Sequence, residues 1–294
     1  MFRLFSIKKI MYRKLLNWLA RFVDRWINRF LQLKKHITYI IYMDDFGFDK
    51  SDIYIVTYPR SGTTLLQMML YQITTDGEYD FDHLGDVSPW IKNDVYEGIK
   101  ANKELAKPRI IKTHDPYKEF DPMVNGKVIF VIRNGLDAMY SLYQQKLSYG
   151  NPDLSLEQFS QGKMKNDNGN WFYFNDPWLE NKKKKDILYI TYNELVKEKE
   201  NTTKKICDFL NIDFSNVDMK RVLKKTSLEY MKQYQGKFGE REDPDHKNFD
   251  YTKFIRSGNS GEGEKEFSTE VKNFYYSNLE KHIKPLLKKR NLEI

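Results

Sequence analysis

Cysteine is almost missing from this chain: its 294 residues contain one, Cys207. A lone thiol excludes an intramolecular disulfide framework and any cysteine-rich metal site, and it fits a reducing compartment, so a cytoplasmic protein is expected. Cys207 lies in an amphipathic run with no neighbour that points to a lowered pKa, and is expected to be a buried structural thiol rather than a nucleophile. Long apolar runs are missing as well. No stretch reaches the ~20 apolar residues of a membrane span, and no apolar core precedes a small-residue cleavage site, so a secretory signal peptide is not expected either. There is no internal repeat, and low-complexity sequence is limited to Lys182–Lys185, read as a solvated turn before a strand. The phosphate loop of nucleoside-triphosphate enzymes, G-x-x-x-x-G-K-[ST], is absent too.

Positive charge is present but unevenly placed. The chain carries a formal +8, yet residues 1–35 hold ten Lys and Arg against Asp24 alone, so the remainder is nearly neutral. Within this leader Leu15, Leu19, Phe22, Trp26, Phe30 and Leu33 recur at three- and four-residue spacing, and Arg21, Arg25 and Arg29 form their own stripe. Three readings fit a basic amphipathic helix of this kind. It could lie on an anionic membrane surface through residues 1–36, pack on the rest of the chain, or serve as an organelle presequence. The first explains both stripes. Packing leaves the charge unexplained, and the pattern outruns a cleaved leader. Nucleic acid is not expected, because the aromatics read as an apolar face.

The body is expected to start at residue 44, after a leader domain of residues 1–43, with Asp44-Asp45 as a link. Short β-branched and aromatic runs alternate with helical periodicity: strands 53–58, 109–112, 127–132 and 187–191, and helices 63–74, 136–147 and 193–210. This predicts an α/β fold, a three-layer sandwich whose central parallel sheet is flanked by helices in the P-loop NTPase-like manner. Such sheets bind ligands at the carboxyl ends of their strands.

The chemistry-bearing residues cluster at those ends. Tyr58-Pro59-Arg60-Ser61-Gly62-Thr63-Thr64 turns from the first strand into a helix, aiming amides and a positive dipole end at one point. Gly62 lets the backbone approach a ligand, Arg60 adds permanent charge, and the Ser61, Thr63 and Thr64 hydroxyls add donors. The plainer alternative is a capped strand-to-helix turn. Lys112 and His114, two apart at a strand end, would face one side, where a neutral imidazole beside a cation suits a general base. A structural histidine fits the spacing equally well, whereas His36, His83, His246 and His282 lack comparable surroundings. The strand Val128–Ile132 ends in Arg133-Asn134, where a Mg²⁺-dependent NTPase would want a carboxylate. Arg133 is either a phosphate fork or a surface ion-pair partner.

The stretch Tyr58–Thr64 resembles the loop Tyr-Pro-Lys/Arg-Ser-Gly-Thr-Thr of the sulfotransferases that use 3′-phosphoadenosine 5′-phosphosulfate, and the likeness runs over about residues 50–285. Arg60 departs from the Lys usual in the cytosolic branch and is similar to the membrane-bound, Golgi-type members. The resemblance implies that Arg60, Ser61, Gly62, Thr63 and Thr64 hold the 5′-phosphosulfate and that His114 is the base, with Lys112 and Arg60 stabilising charge. It implies that Arg133 and Ser141 grip the 3′-phosphate, that Tyr192 packs near the adenine, and that Thr226 and Met231 approach the nucleotide. Arg256-Ser257-Gly258 would open the loop that closes over the 3′-phosphate. There Ser257 stands for Lys and Gly263 for Trp, which implies looser closure. The dimer signature found in many cytosolic members is absent from Glu264–Asn273, so the oligomeric state is open.

The expected activity is sulfuryl transfer to a small-molecule or lipid hydroxyl, with no metal. Residues 76–105, including Trp90, Tyr96 and Ile99, and 144–178 would line the acceptor pocket. The alternatives are an ATP-dependent small-molecule kinase and a non-catalytic membrane-surface protein on the same fold.

Overall fold

The computed structural model describes residues 2–75, 81–96, 105–120, 126–148, 153–165, 170–183, 185–239 and 254–294. Chain contacts divide it into two compact units, Met1–Gly47 with Lys92–Lys100, and Phe48–Ile91 with Ala101–Ile294. In the first, a single helix α1 runs Phe2–Phe46. It continues through Asp44-Asp45, which the sequence suggests as a link, and stops at Gly47, whose φ of +65° supplies the left-handed turn that ends a helix.

In the second unit four strands, β1 (Ile53–Thr57), β2 (Ile110–Thr113), β3 (Lys127–Ile132) and β4 (Ile187–Thr191), form one parallel sheet in the order β2-β1-β3-β4. All five residues of β1 are buried, because helices cover both faces of the sheet. Period-two alternation sorts the side chains. Ile53, Ile55, Ile129, Val131 and Ile190 join Leu66, Met69 and Leu70 of helix α2 (Thr63–Thr74) in one cluster. Tyr54 and Phe130 face the other way, Tyr54 edge-on to Phe120 and Phe130 stacked on Phe174 and Trp178 with centroids 6.3 and 6.0 Å apart. These are the three layers.

The amino ends of β1 and β2 are pinned by Arg109, whose Nε and Nη2 donate to Asp52 at 2.7 and 2.6 Å with both residues buried. Removing either partner would leave an uncompensated buried charge. The strand predicted from Arg109 therefore begins one residue later. Similarly, the helix predicted over 193–210 is two, Tyr192–Lys197 and Lys199–Leu210, broken where Glu198 takes φ −120°, ψ 45°.

Candidate active site

In the order β2-β1-β3-β4, the chain leaves β1 towards one edge and β3 towards the other, so a crevice opens beyond their carboxyl ends. Arg60 and Arg133 are at that crevice. After Thr57 the turn passes through Arg60 at φ +67° and Gly62 at φ +95° before α2 begins. For a residue with a Cβ the left-handed region costs about 1–2 kcal/mol. Arg133 holds the strained residue by donating from Nη1 to the Arg60 carbonyl at 2.9 Å. At Gly62 a Cβ would also lie 3.0 Å from Tyr192 Cδ2 and 3.1 Å from Leu195 Cδ2, so glycine is needed for space as well as for conformation.

The turn offers a place for an anion. The N-cap of α2 is Gly62, which has no side chain to cap the helix, and Ser61 Oγ is buried without a hydrogen-bond partner among the described residues. Buried polar atoms are nearly always paired, and this unpaired one stands in the turn at the crevice. Arg133 Nε is a second orphan. Arg133 is buried, its guanidinium lies 4.2 Å from the Tyr192 ring centroid, and its Nη2 donates to the Asn259 carbonyl at 2.9 Å. Arg60 reaches Ser141 Oγ from Nε at 3.2 Å and the Phe254 carbonyl from Nη2 at 2.8 Å. Ser141, matched with Arg133 on resemblance, is hydrogen-bonded to Arg60.

Lys112 and His114 come together on Trp90. The Lys112 ammonium is 5.2 Å from the Trp90 ring centroid, and the His114 ring meets Trp90 edge-on at 4.9 Å. Lys112 N donates to the Pro89 carbonyl at 3.0 Å, while Gln67 Nε2 donates to Ser88 O and Oγ, so the Trp90 segment is tied to β2 and α2. His114 Nδ1 lies 2.8 Å from the Thr57 carbonyl. A carbonyl only accepts, so Nδ1 carries the proton and Nε2 keeps the lone pair, which is the tautomer a base requires. Burial, with the Lys112 charge adding to it, lowers the His114 pKa from 6.5 to about 4, and the Thr57 hydrogen bond offsets this only in part.

The pH consequence has a definite sign. The folded value lies below the unfolded one, so as pH falls from 6.5 towards 4 the unfolded chain takes up the proton first and stability is lost across that window. An NMR titration should show the His114 ring neutral through the physiological range with a midpoint at about 4, rising in Lys112→Met. A midpoint near 6.5 in the unaltered protein would contradict the assigned environment.

The glycine-rich segment 256–263 closes the crevice. Asp137, in the first turn of the helix Gly135–Ser148, accepts from Gly261 N at 2.8 Å and Gly263 N at 2.9 Å. Glu262 binds Arg256 and accepts from Ser257 Oγ at 2.5 Å. Burial raises the Glu262 pKa, but the Ser257 hydroxyl, Arg256 and Arg133 outweigh it and leave the carboxyl lowered. A carboxylate thus sits on Arg256 and Ser257 as a stand-in for an anion. The sequence shows no aromatic lid at Gly263, but these hydrogen bonds tie the loop down instead.

Tyr192 OH donates to the Gly258 carbonyl at 3.3 Å, joining two predicted site residues. Thr226 and Met231 are placed differently. The Thr226 hydroxyl donates to Val222 O at 2.7 Å, and Met231, 4% exposed, belongs to the same buried cluster as Val222 and Phe238. The side chain beside Gly258 is Leu228, 41% exposed, with Cδ1 3.7 Å from where a Gly258 Cβ would be. Sequence reasoning passed over Leu228, Asp137 and Glu262. Asp137 had a faint signal, an acid just after Asn134-Gly135 where a helix starts. His83, set aside from the sequence, caps the short helix Leu84–Val87 by accepting from Gly85 N. Ile99 lies outside the described residues. No group of three or more His, Cys, Asp or Glu among the described residues is placed to hold a metal ion.

A cradle of amides, hydroxyls and arginines beside a neutral imidazole defines an α/β group-transfer enzyme acting on an anionic donor. The sulfotransferase domain family matches residues 50–288, and the chain belongs to it. It is 26% identical over 266 residues to sulfotransferase 1E1 of Bos taurus, covering 85% of this chain and 90% of the relative. It is 31% identical over 203 residues to sulfotransferase 2A2 of Mus musculus, covering 64% and 69% respectively. The mouse sulfotransferase SULT7A1 complexed with PAP superposes with a TM-score of 0.63 at 26% identity, covering 84% of this chain and 89% of that one. The enzyme moves a sulfuryl group from 3′-phosphoadenosine 5′-phosphosulfate to a hydroxyl acceptor.

Proposed function

We propose that His114 is the base of this transfer and that the turn 58–64 holds the donor's 5′-phosphosulfate. The observation that carries the assignment is the His114 tautomer: Nδ1 is committed to the Thr57 carbonyl, leaving Nε2 to accept a proton. Arg60, Ser61, Gly62, Thr63 and Thr64 bind the phosphosulfate with amides, hydroxyls and a guanidinium, and the orphaned Ser61 Oγ gains a partner. Arg133, Ser141, Arg256, Ser257 and Gly258 hold the 3′-phosphate, which takes the place of the Glu262 carboxylate on Arg256 and Ser257. Tyr192 and Leu228, both beside Gly258, flank the adenine.

In the transfer, the bond from sulfur to the phosphate oxygen breaks as a bond from sulfur to the acceptor oxygen forms. The acceptor's proton passes to His114 Nε2, and the departing 5′-phosphate keeps the electron pair. Arg60, Lys112 and the turn amides stabilise charge gathering on the bridging oxygen, where preorganised donors have the largest effect. Arg60 acts as fixed charge and does not give up a proton.

The acceptor is a hydroxyl on a small apolar molecule, since Trp90 stands beside His114. Residues 1–36 hold the enzyme at an anionic membrane surface on the cytoplasmic side, which favours a lipid or other interfacial alcohol over a soluble metabolite. Labelled donor incubated with a total lipid extract and, separately, with a polar metabolite extract should label a lipid-extractable sulfate ester in the first, and label passing only to the polar extract would overturn the acceptor class.

A further inference from the structure

Helix α1 is one unbroken element of 45 residues. Between Leu15 and Ile41 it carries fourteen large apolar side chains, each 41–65% exposed. At about 100° per residue nearly all of them fall in one arc of roughly 180°, and the arc holds its position over a length of about 40 Å. Arg29 and Lys34 interrupt it, each near one edge, and His36 borders it. Along the arc Trp18, Phe22, Trp26 and Phe30 form a continuous aromatic row with successive centroids 5.7, 6.2 and 6.4 Å apart. Arg21, Arg25 and Arg29 run beside that row, and the Arg29 guanidinium lies 5.7 Å from the Trp26 centroid. No helix among the described residues is long and apolar enough to cross a membrane.

We infer that α1 lies in the plane of an anionic lipid leaflet, with the row Trp18–Phe30 sunk into the interface and the arginine row at the headgroups. The inference rests on the membrane-surface reading of residues 1–36 and supplies its contact face. A broad arc fits a flat apolar boundary, whereas a helix pair needs only a narrow seam. Ten basic residues against one acid in residues 1–35 match an anionic leaflet. A parallel second copy of the helix would instead bring two arginine rows together. Aromatic rings and long basic side chains suit the headgroup boundary, where each keeps an apolar stem in and a polar end out.

The full chain should float with vesicles of equimolar phosphatidylcholine and phosphatidylserine, about tenfold more than with phosphatidylcholine alone. High salt should weaken the difference. The double variant Phe22→Ser and Trp26→Ser should lose flotation on both. The triple variant R21E, R25E, R29E should lose only the preference for phosphatidylserine. Transfer to a soluble phenol reports separately on the catalytic unit and should be unchanged in both variants. Full-length protein that stays at the bottom of the gradient at low salt would overturn the inference. So would a dimer lost on Phe22→Ser and Trp26→Ser without any flotation, and either result would leave the sulfuryl-transfer assignment standing.

Discussion

His114→Ala should lower sulfuryl transfer by roughly 10²–10⁴-fold, the range expected when a positioned general base is removed. Binding of adenosine 3′,5′-bisphosphate should hardly change, because the described His114 contacts are Thr57 and Trp90 rather than the arginine network. His114→Asn separates chemistry from packing: its amide can still donate to the Thr57 carbonyl, but no basic nitrogen remains. It should fold as well as the parent and lose as much activity as the alanine variant. Near-parent turnover in the asparagine variant would show that the imidazole serves structure rather than proton transfer.

The second large effect concerns Gly263. A Cβ there would lie 2.3 Å from Leu136 C, 2.4 Å from Leu136 O and 2.7 Å from Asp137 N. All three are backbone atoms, so no rotamer change relieves the overlap. Gly263→Ala should cost on the order of 3 kcal/mol, a fall in Tm of roughly 6–12 °C for a domain of this size. It should also weaken nucleotide binding, since Gly261 and Gly263 lose their anchors on Asp137. Restoring the tryptophan that the family pattern has at this position should be worse still. Gly162→Ala is the control: none of the described residues lies within 4 Å of its Cβ position, and the helix should gain about 0.5–1 kcal/mol. An unchanged Tm in Gly263→Ala would mean that the loop does not press against Leu136 as described.

Gly263 also shows where sequence reading stops. The loss of Trp was legible, and looser closure followed from it, but the hydrogen bonds that replace the lid come from Asp137, more than a hundred residues away along the chain. Glu262 hides for the opposite reason. It adjoins the residues it neutralises, and nothing in a charge pattern says that a carboxylate folds back onto Arg256 and Ser257 instead of facing water. The strands and the positions of Arg60, His114 and Arg133 were legible because apolar β-branched runs mark a sheet buried on both faces. The polar residue that ends each run must then stand at the carboxyl edge. The far end of α1 was not: Asp44-Asp45 is unfavourable at a helix carboxyl terminus, yet the stop is set by the next available left-handed residue, Gly47. Thr226 and Leu228 differ in a way that only packing decides, since both fit a local pattern and only one side chain is exposed.

Isothermal titration calorimetry of the full chain tests most directly whether the cradle grips a doubly anionic adenosine nucleotide through amides and arginines. Adenosine 3′,5′-bisphosphate should bind with clear heat in the presence of a chelator, and Arg133→Met should weaken it by about tenfold or more, as removal of a charge-assisted grip does. Magnesium–ATP should give little signal. Clear binding of magnesium–ATP, with none of the bisphosphate, would contradict the account.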